Sequence, residues 1–233
     1  MKPSLQRRVV AEFIGTLFLL AAVVGSGIMG ERLAAGNVAL ALLANSIATG
    51  SALIALILAF GEVSGAHLNP AVTLADAMRG GIGWREVPAY IFAQVAGALG
   101  GVIAAHLMFG LSSLAVSTRI RSGPSQLFSE FVATFGLLAV IWGCARKRPT
   151  AVPYAVGCYI TAAYWFTAST SLANPAVTFA RCLTNTFSGI RPADVAGFIG
   201  AQICGAIAAT LLFQWLAPAV DADSIAQPVE HAH

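Results

Sequence analysis

Charged side chains are scarce in this sequence. They account for 10% of its residues, whereas soluble domains average about 25%. Hydrophobic residues account for 58%, and the mean hydropathy is +0.79. This composition predicts a membrane protein and excludes a soluble enzyme. The net charge of +3 is too small and too dispersed to indicate a nucleic-acid partner.

Cysteine is also scarce, and none of it forms a recognisable motif. Each cysteine stands alone in an apolar segment, without a CxxC pair or a histidine at ligand spacing. The four are Cys144, Cys158, Cys182 and Cys204. We interpret them as small core hydrophobes and not as a metal site. The sequence offers no constellation of nucleophile and base either, so we expect no catalytic residue, no metal and no cofactor.

Long hydrophobic runs, by contrast, fill most of the chain. A helix that spans a bilayer needs about 20 apolar residues. Six runs approach or exceed this length, near residues 8–29, 38–60, 87–109, 127–145, 152–169 and 195–216. The first run follows basic residues and could be a cleaved signal peptide, but Glu12 inside it and a matching segment later in the chain favour a retained helix.

The basic residues predict the orientation of these spans. Cytoplasmic segments of membrane proteins carry an excess of Lys and Arg. With the N-terminus inside, the inner segments hold Lys2, Arg7, Arg8, Arg79, Arg85, Arg146, Lys147 and Arg148, and the outer ones hold Arg32, Arg119, Arg121, Arg181 and Arg191. We therefore expect a multi-pass protein of the plasma (inner) membrane with both termini cytoplasmic. The polar tail, residues 218–233, is expected to be flexible.

The chain contains an internal repeat. Three segments recur in the same order: "AEFIGTLFLL" at 11–20 and "SEFVATFGLL" at 129–138, "NPAVT" at 69–73 and 174–178, and "AQVAGALGG" at 93–101 and "AQICGAIAA" at 201–209. Each copy holds three spans. Since three is odd, the two copies must have opposite orientations, which is the inverted repeat of several transport folds. We expect one channel domain over 1–233 with halves at about 8–110 and 126–217.

Small residues mark one helix of each copy. Gly97 and Gly101 form a GxxxG pattern, and Gly205 and Ala209 repeat the spacing. Small residues at this spacing let two helices approach closely. We expect them to pack the two halves against each other.

Each Asn-Pro-Ala copy is followed by an apolar stretch that is too short to cross a bilayer. Asn favours the N-cap of a helix and Pro favours its first turn. We therefore expect Asn69 and Asn174 to begin two re-entrant half-helices whose N-termini meet at mid-membrane. The unwound lead-ins at 64–68 and 169–173 can exist at this depth only if they are buried in protein or line a water-filled path. Such a path would use their carbonyls as acceptors.

Two facing helix N-termini have an electrostatic consequence. Each carries roughly half a positive charge, so together they repel cations at the centre of the bilayer. The side-chain oxygens of Asn69 and Asn174 cap the helices, and we expect their NH2 groups to donate to a passing neutral solute.

These residues resemble the aquaporin or major intrinsic protein family. The resemblance rests on two Asn-Pro-Ala motifs, the run "SGAHLNPAVT", a Glu in spans 1 and 4 and a Gln in spans 3 and 6, and it covers about residues 8 to 217. It implies an all-α membrane protein of six transmembrane helices plus two re-entrant half-helices, with a pore in each subunit of a homotetramer. Its partners would be water, small neutral solutes and the lipid bilayer.

The resemblance also assigns roles to individual residues. The central constriction would comprise Asn69, Pro70, Ala71, Asn174, Pro175 and Ala176. Further pore-lining positions would be Gly65, Ala66, His67, Leu68, Leu172 and Ala173. Glu12 and Glu130 would hold the lead-in backbones by hydrogen bonds, although intramembrane carboxylates also serve as proton relays. His67 could alternatively be a gate or a metal ligand.

A second constriction of the family, the selectivity filter, would comprise Thr49, Ala162, Ser171 and Val177. Water-specific members have Phe, His and Arg at these positions, and glycerol facilitators combine a large aromatic residue with Arg. All four residues here are small, and position 177 is not Arg. One residue more or less in the 163–173 loop would move the second position from Ala162 to a neighbour.

A filter without a guanidinium lacks a fixed charge and a forked donor. We therefore expect a wide filter that admits uncharged solutes such as polyols, urea, and neutral metalloids including arsenite and antimonite. The chain resembles a group of bacterial aquaglyceroporins that lack the filter Arg and are associated with arsenic resistance. Arg181, four residues beyond Val177, could turn back toward the pore or lie at the lipid or loop interface.

Three alternative functions follow from the same features. The chain could be a water channel that is limited elsewhere in the pore. It could be a coupled secondary transporter, since inverted repeats with broken helices also build those, but the midplane then needs an ionisable pair where this sequence has amides. A structural role with a vestigial pore conflicts with the intact Asn pair and the short external loops.

Overall fold

A computed structural model describes residues 3–216, and the regular elements in that range are helices. The α-helices are α1 Leu5–Leu33, α2 Val38–Ser64, α3 Pro70–Met78, α4 Val87–Met108, α5 Pro124–Ala145, α6 Val152–Phe166, α7 Pro175–Ala180 and α8 Pro192–Leu216. A 3-10 turn, Pro149–Ala151, precedes α6, and another, Arg181–Leu183, follows α7. The tail expected at 218–233 lies outside the described residues.

The long helices confirm the predicted all-α membrane fold. Five of them, α1, α2, α4, α5 and α8, are long and apolar enough to span a bilayer. The sixth, α6, has 15 residues and a length of about 22 Å, and the 3-10 turn before it adds about 6 Å, so the two together approach the ~30 Å hydrocarbon core. The predicted span 152–169 ends early, at Phe166, because Thr167 takes an extended conformation and starts the unwound lead-in.

The two halves of the chain repeat one order of elements: two long helices, a half-helix and a third long helix. In the first half α1 packs against α2 and α4, and in the second α5 packs against α6 and α8. The half-helices lie centrally, since α3 and α7 touch each other and each of them touches both α4 and α8. The site is therefore built where the halves meet.

The GxxxG glycines pack helices within a half. Gly97 and Gly101 of α4 lie against the backbone carbonyls of Phe13 and Leu17 in α1, with no room for a Cβ atom. Gly205 of α8 lies in the same way against the backbone of α5. The expectation that these residues pack the two halves together is wrong, because the first and last long helices of one repeat are neighbours.

Another glycine pair brings the halves together. Gly50 of α2 lies against the carbonyl of Gly157 in α6, and Gly157 in turn lies against the carbonyl of Gly50. A Cβ atom at either position would collide with the facing backbone. This close crossing allows side chains of α2 and α6 to meet across the centre of the molecule.

The two half-helices end at opposite faces of the bundle. At the end of α3, the carbonyl of Met78 accepts a hydrogen bond from Gln214 near the end of α8. Beyond α7, the Oγ1 atom of Thr184 lies 2.7 Å from Nε2 of His106 near the end of α4. We call these sides the α3 face, at Met78, and the α7 face, at Thr184.

Candidate solute pathway

Both half-helices begin at the asparagine of an Asn-Pro-Ala motif. The Oδ1 atom of Asn69 accepts from the backbone N of Ala71 at 2.9 Å. The Oδ1 atom of Asn174 accepts from Ala176 N at 3.0 Å and Val177 N at 3.3 Å. These bonds satisfy backbone donors that have no partner within the helix. The N-termini of α3 and α7 are thereby fixed at the centre of the molecule.

The asparagine amides also join the two halves. Asn69 Nδ2 donates to the carbonyl of Ala173 at 2.8 Å, and Asn174 Nδ2 donates to the carbonyl of Leu68 at 2.8 Å. An amide NH2 has two N–H donors, so each asparagine keeps one for a solute. The expectation that the NH2 groups donate to a solute therefore concerns the remaining N–H of each asparagine.

The lead-ins to the half-helices hold an unusual backbone. Residues Ala66 and Leu68 before α3 have φ near 47°, and Ser171 and Ala173 before α7 have φ of 49° and 47°. The left-handed region costs a side-chain-bearing residue roughly 1–2 kcal/mol. Four such residues in matching positions persist only because the surroundings hold them.

Glu12 holds the first lead-in. Its carboxylate is fully buried and accepts from the backbone N of His67 at 2.9 Å and of Leu68 at 2.7 Å. It also accepts from Ser64 Oγ at 2.7 Å and Gln94 Nε2 at 2.8 Å. Four donors therefore surround one carboxylate, and two of them belong to the strained backbone.

Glu130 holds the second lead-in in the same way. It accepts from the backbone N of Leu172 and of Ala173, both at 2.9 Å, and from Gln202 Nε2. Gln202 also donates to Thr178 of α7 at 2.8 Å. Since both carboxylates are engaged as acceptors on matching backbone atoms, the geometry supports bracing over a proton relay.

A cavity of about 410 Å³ lies along the two lead-ins. It runs from Asp76 and Gly81 near the α3 face, past Asn69 and Asn174, to Arg181 near the α7 face. Its apolar wall is formed by Leu19, Val23, Leu53, Ile57, Leu137, Ile141, Val156 and Ile160. Residues of both lead-ins also line it. The cavity therefore offers apolar side chains together with polar groups at the lead-ins.

Several of the expected pore-lining residues lie in this cavity wall. Besides Asn69 and Asn174, they are Gly65, Ala66, His67, Leu68, Leu172 and Ala173. The remaining members of the two motifs lie behind the asparagines, where they are buried in the packing of the half-helices: Pro70, Ala71, Pro175 and Ala176. These four shape the half-helix starts and do not line the cavity.

Three of the four expected filter residues also line the cavity: Thr49, Ser171 and Val177. Ala162 does not, because its side chain is exposed on the outer side of α6. The expectation for Ala162 is wrong. Two residues correspond to about 200° around a helix, so Tyr164 occupies the inner side of α6 in place of Ala162.

Tyr164 makes the filter region narrower than expected. Its Oη atom lies 3.1 Å from Thr49 Oγ1 on α2, and both side chains are buried. The close crossing of Gly50 and Gly157 allows this contact. A large ring with a hydroxyl group therefore stands where the small side chain of Ala162 was expected.

Arg181 turns toward the cavity and away from lipid. It is 2% exposed, it lines the cavity, and its Nε atom donates to the carbonyl of Ser188. Sequence spacing gave two possible positions for this side chain. Although Val177 supplies no charge, the pathway does contain a guanidinium four residues further along.

Arg121 was missed by the sequence analysis, in which it was one basic loop residue among several. Its Nη1 atom donates to Ser169 O at 2.9 Å, and its Nε atom donates to Gly189 O at 2.8 Å. Burial, with the guanidinium groups of Arg181 and Arg119 nearby, lowers the pKa of Arg121 to about 9. The side chain is still charged at neutral pH, and it fixes the lead-in to α7.

His67 lines the cavity on the α3 side of Asn69. Its Nδ1 atom lies 3.1 Å from Thr73 Oγ1, and its Nε2 atom lies 3.5 Å from Asp76 Oδ2. Within residues 3–216, no group of three His, Cys, Asp or Glu side chains is placed to hold a metal ion. The geometry therefore supports a lining position for His67.

The fold and the pathway together define a class of protein. Two re-entrant half-helices meet at their N-termini inside a bundle of membrane-spanning helices, and the residues before and at these N-termini line a cavity. Irregular backbone at membrane depth occurs only where it is buried in protein or lines such a cavity. This is the architecture of a membrane channel.

Comparison with known proteins identifies the family. The sequence profile described as Major intrinsic protein matches residues 1–171 and 147–232. The aquaglyceroporin AqpS of Rhizobium meliloti (strain 1021) is 57% identical over 213 residues, which cover 91% of each chain. The chain belongs to the major intrinsic protein family. It is an aquaglyceroporin-type channel for water and small solutes, and not an enzyme.

More distant relatives agree with this assignment. The aquaporin NIP1-4 of Oryza sativa subsp. japonica is 40% identical over 138 residues, covering 58% of this chain and 49% of the rice protein. The X-ray structure of the aquaglyceroporin from Plasmodium falciparum superposes with a TM-score of 0.73 at 19% identity, covering 92% of this chain and 98% of the other. At that identity the superposition supports the fold alone.

Proposed function

We propose that this channel conducts uncharged solutes larger than water by passive diffusion. The expected solutes are polyols such as glycerol, urea, and neutral metalloid hydroxides such as arsenite and antimonite. One observation carries the proposal: the cavity is lined by apolar side chains together with the amides of Asn69 and Asn174 and the hydroxyls of Thr49 and Tyr164. A small neutral molecule with a carbon side and a hydroxyl side matches both kinds of group. The similarity to a protein named as an aquaglyceroporin supports it.

The proposed filter comprises Thr49, Tyr164, Ser171 and Val177. Val177 lines the cavity and contributes neither charge nor donor. Ser171 lines the cavity as well, although its Oγ atom is fully enclosed and has no hydrogen-bond partner among the described residues. Hydroxyl groups on an otherwise apolar ring suit a polyol or a hydroxide, which both donates and accepts.

The contact between Thr49 and Tyr164 favours a second candidate function, a channel that passes water but not larger solutes. The 3.1 Å bond between their hydroxyls narrows the path on the side of α2 and α6. A channel limited at that point would pass water and reject glycerol. The two candidates differ in the size of solute that passes, so flux measurements separate them.

The test uses the protein reconstituted in liposomes and stopped-flow light scattering. An impermeant osmolyte gives the rate of water efflux, and glycerol, urea and neutral arsenite give the rates of re-swelling. We expect re-swelling in the larger solutes well above that of empty liposomes. The variant Val177→Arg adds a guanidinium to the wall and should reduce solute re-swelling more than water efflux. Val177→Leu is the matched control for side-chain volume.

Rapid water efflux without re-swelling in any larger solute would overturn the proposal in favour of the water channel. Equal effects of Val177→Arg and Val177→Leu would show that volume alone limits the pathway at that position.

Assembly and orientation complete the proposal. We expect a homotetramer in the plasma (inner) membrane with both termini cytoplasmic, formed of inverted halves at about 8–110 and 126–217. The basic cluster Arg146 to Arg148 on the α3 side supports that side as cytoplasmic. Native mass spectrometry in detergent tests the tetramer. Labelling of single cysteines engineered beside Arg146 and beside Arg119 tests the orientation.

A further inference from the structure

Arg181 is a buried charge for which the fold provides only a partial hydrogen-bond shell. It is 2% exposed, and among the described residues its one hydrogen-bond acceptor is the carbonyl of Ser188, bound through Nε. A guanidinium has five N–H donors, so the four on the two Nη atoms have no protein partner in residues 3–216. A buried donor without a partner costs free energy.

The carboxylates of the α7 face are engaged elsewhere. Glu31 binds Arg119 at 2.8 Å. Asp194 binds Arg191 at 2.8 Å and accepts from the backbone N of Arg121. None of the described ion pairs includes Arg181. The buried carboxylate of Glu130 acts on it electrostatically, but the oxygens of Glu130 accept from Leu172 N, Ala173 N and Gln202. The positive charge of Arg181 therefore acts on the cavity that it lines.

The free donors of Arg181 are accessible from that cavity. Arg181 lies in the cavity wall, and its Nη atoms are not among the fully enclosed side-chain atoms that lack a partner. Tyr164, in the same wall, is close enough to interact electrostatically with the guanidinium. A solute at this depth therefore meets a forked cationic donor on one side and the hydroxyls of Tyr164 and Thr49 on another.

We propose that Arg181 is a specificity-determining residue, which supplies from one helical turn beyond Val177 the fixed charge and the donor fork that position 177 lacks. It excludes cations and hydrogen-bonds the oxygen atoms of neutral solutes before they reach Asn174. This inference deepens the proposed function and rests on it. On this proposal the pathway contains a guanidinium although position 177 is Val, and the guanidinium is displaced toward the α7 face.

A structural role for Arg181 is the alternative to be tested. Through Ser188, the side chain ties the 3-10 turn after α7 to the following loop, and Arg181 O accepts from Ile190 N at 3.3 Å. An anchor of this kind affects stability but does not require a charge that faces the cavity. Cation leak, measured apart from solute flux and from thermal stability, distinguishes the two roles.

The experiment compares Arg181→Met, Arg181→Lys and Val177→Glu with the wild-type protein in liposomes. Sodium and proton leak are measured with entrapped fluorescent indicators, and glycerol flux is measured by re-swelling. Arg181→Met removes the charge and Arg181→Lys keeps it. Val177→Glu leaves Arg181 in place and puts a carboxylate one turn away, at the i and i+4 spacing that pairs charges.

We expect Arg181→Met and Val177→Glu to raise cation leak at least about tenfold, since a unit charge in a low-dielectric wall changes a barrier by more than ~1.4 kcal/mol. Arg181→Lys should keep the wild-type leak. Unchanged cation leak in a folded Arg181→Met protein would overturn the proposal.

If Arg181→Met does not fold, Val177→Glu decides, and an unchanged leak in that variant also overturns the proposal. Failure of the wild-type protein to conduct glycerol would refute the proposed function, while the comparison of cation leaks would still report on Arg181.

Discussion

Tyr164 is the largest side chain that α6 presents to the cavity, and it stands opposite Thr49. The inner side of α6 is formed by residues four apart, Val156, Ile160 and Tyr164. At the residue scale, the width of the pathway therefore depends on a ring whose hydroxyl is held by Thr49 at 3.1 Å.

Replacement of this ring should widen the pathway. We expect Tyr164→Ala to raise the rate of glycerol re-swelling severalfold, since a fall of ~1.4 kcal/mol in the barrier is a tenfold change in rate. Stopped-flow light scattering measures it. Ala162→Leu is the control, because Ala162 is exposed on the outer side of the same helix. A larger effect of Ala162→Leu than of Tyr164→Ala would contradict the assignment of Tyr164.

Glu130 is the residue whose loss should most affect the second lead-in. In Glu130→Gln an NH2 group replaces one of the two oxygens that accept from Leu172 N and Ala173 N. Breaking such a buried network costs about 2–4 kcal/mol. We expect a lower thermal unfolding temperature in detergent and a loss of water flux.

Glu62→Gln is the matched control for this prediction, because Glu62 is exposed on α2, and it should leave both properties unchanged. A Glu130→Gln protein of normal stability whose only defect is altered proton movement would instead support the proton relay.

Individual residues also show which parts of the site could be predicted from the sequence. The positions of Glu12, Glu130 and the two asparagines follow from the repeat, because a copied motif must take equivalent positions in both halves. Counting back from Asn174 does not reveal which residues of α6 face the cavity, because the unwound segment after Phe166 has its own length and conformation. The direction of the Arg181 side chain depends on the acceptor at Ser188, which no local pattern reveals.

At the element scale, close helix crossings stabilise the packing within each half and between the two halves. Gly97 places α4 directly on the backbone of α1 at Phe13, and Gly50 and Gly157 place α2 directly on α6. The sequence predicted that small residues mark close packing, but it could not identify the partner helix, because spacing alone carries no information on which neighbour is met.

A side chain at Gly97 should separate α1 from α4. We expect Gly97→Val to lower the unfolding temperature strongly, with a cost of about 1–3 kcal/mol or more for overpacking against a backbone that cannot move aside. Gly61→Ala is the control: a Cβ atom there meets nothing within 4 Å, so its stability should be equal or slightly higher. Thermal unfolding monitored by circular dichroism in detergent compares the two. Similar stability of both variants would refute the close crossing.

At the scale of the whole molecule, positive charge lies at the centre of the pathway and on its α7 side. The N-termini of α3 and α7 meet at the centre, and Arg181 and Arg121 lie toward the α7 face. The inverted repeat accounts for the first feature and was predictable from the copied Asn-Pro-Ala motif. The second feature belongs to one half only, so symmetry did not reveal it. Together they favour the passage of neutral solutes over cations.

The central claim is that solutes pass by diffusion through a channel, and the rate of glycerol equilibration tests it most directly. Liposomes loaded with glycerol, or diluted into it, are followed with and without a proton or sodium gradient. We predict equal rates in both directions, no effect of either gradient, and a final internal concentration equal to the external one. Accumulation of glycerol above the external concentration, driven by either ion gradient, would contradict the account and identify a coupled transporter.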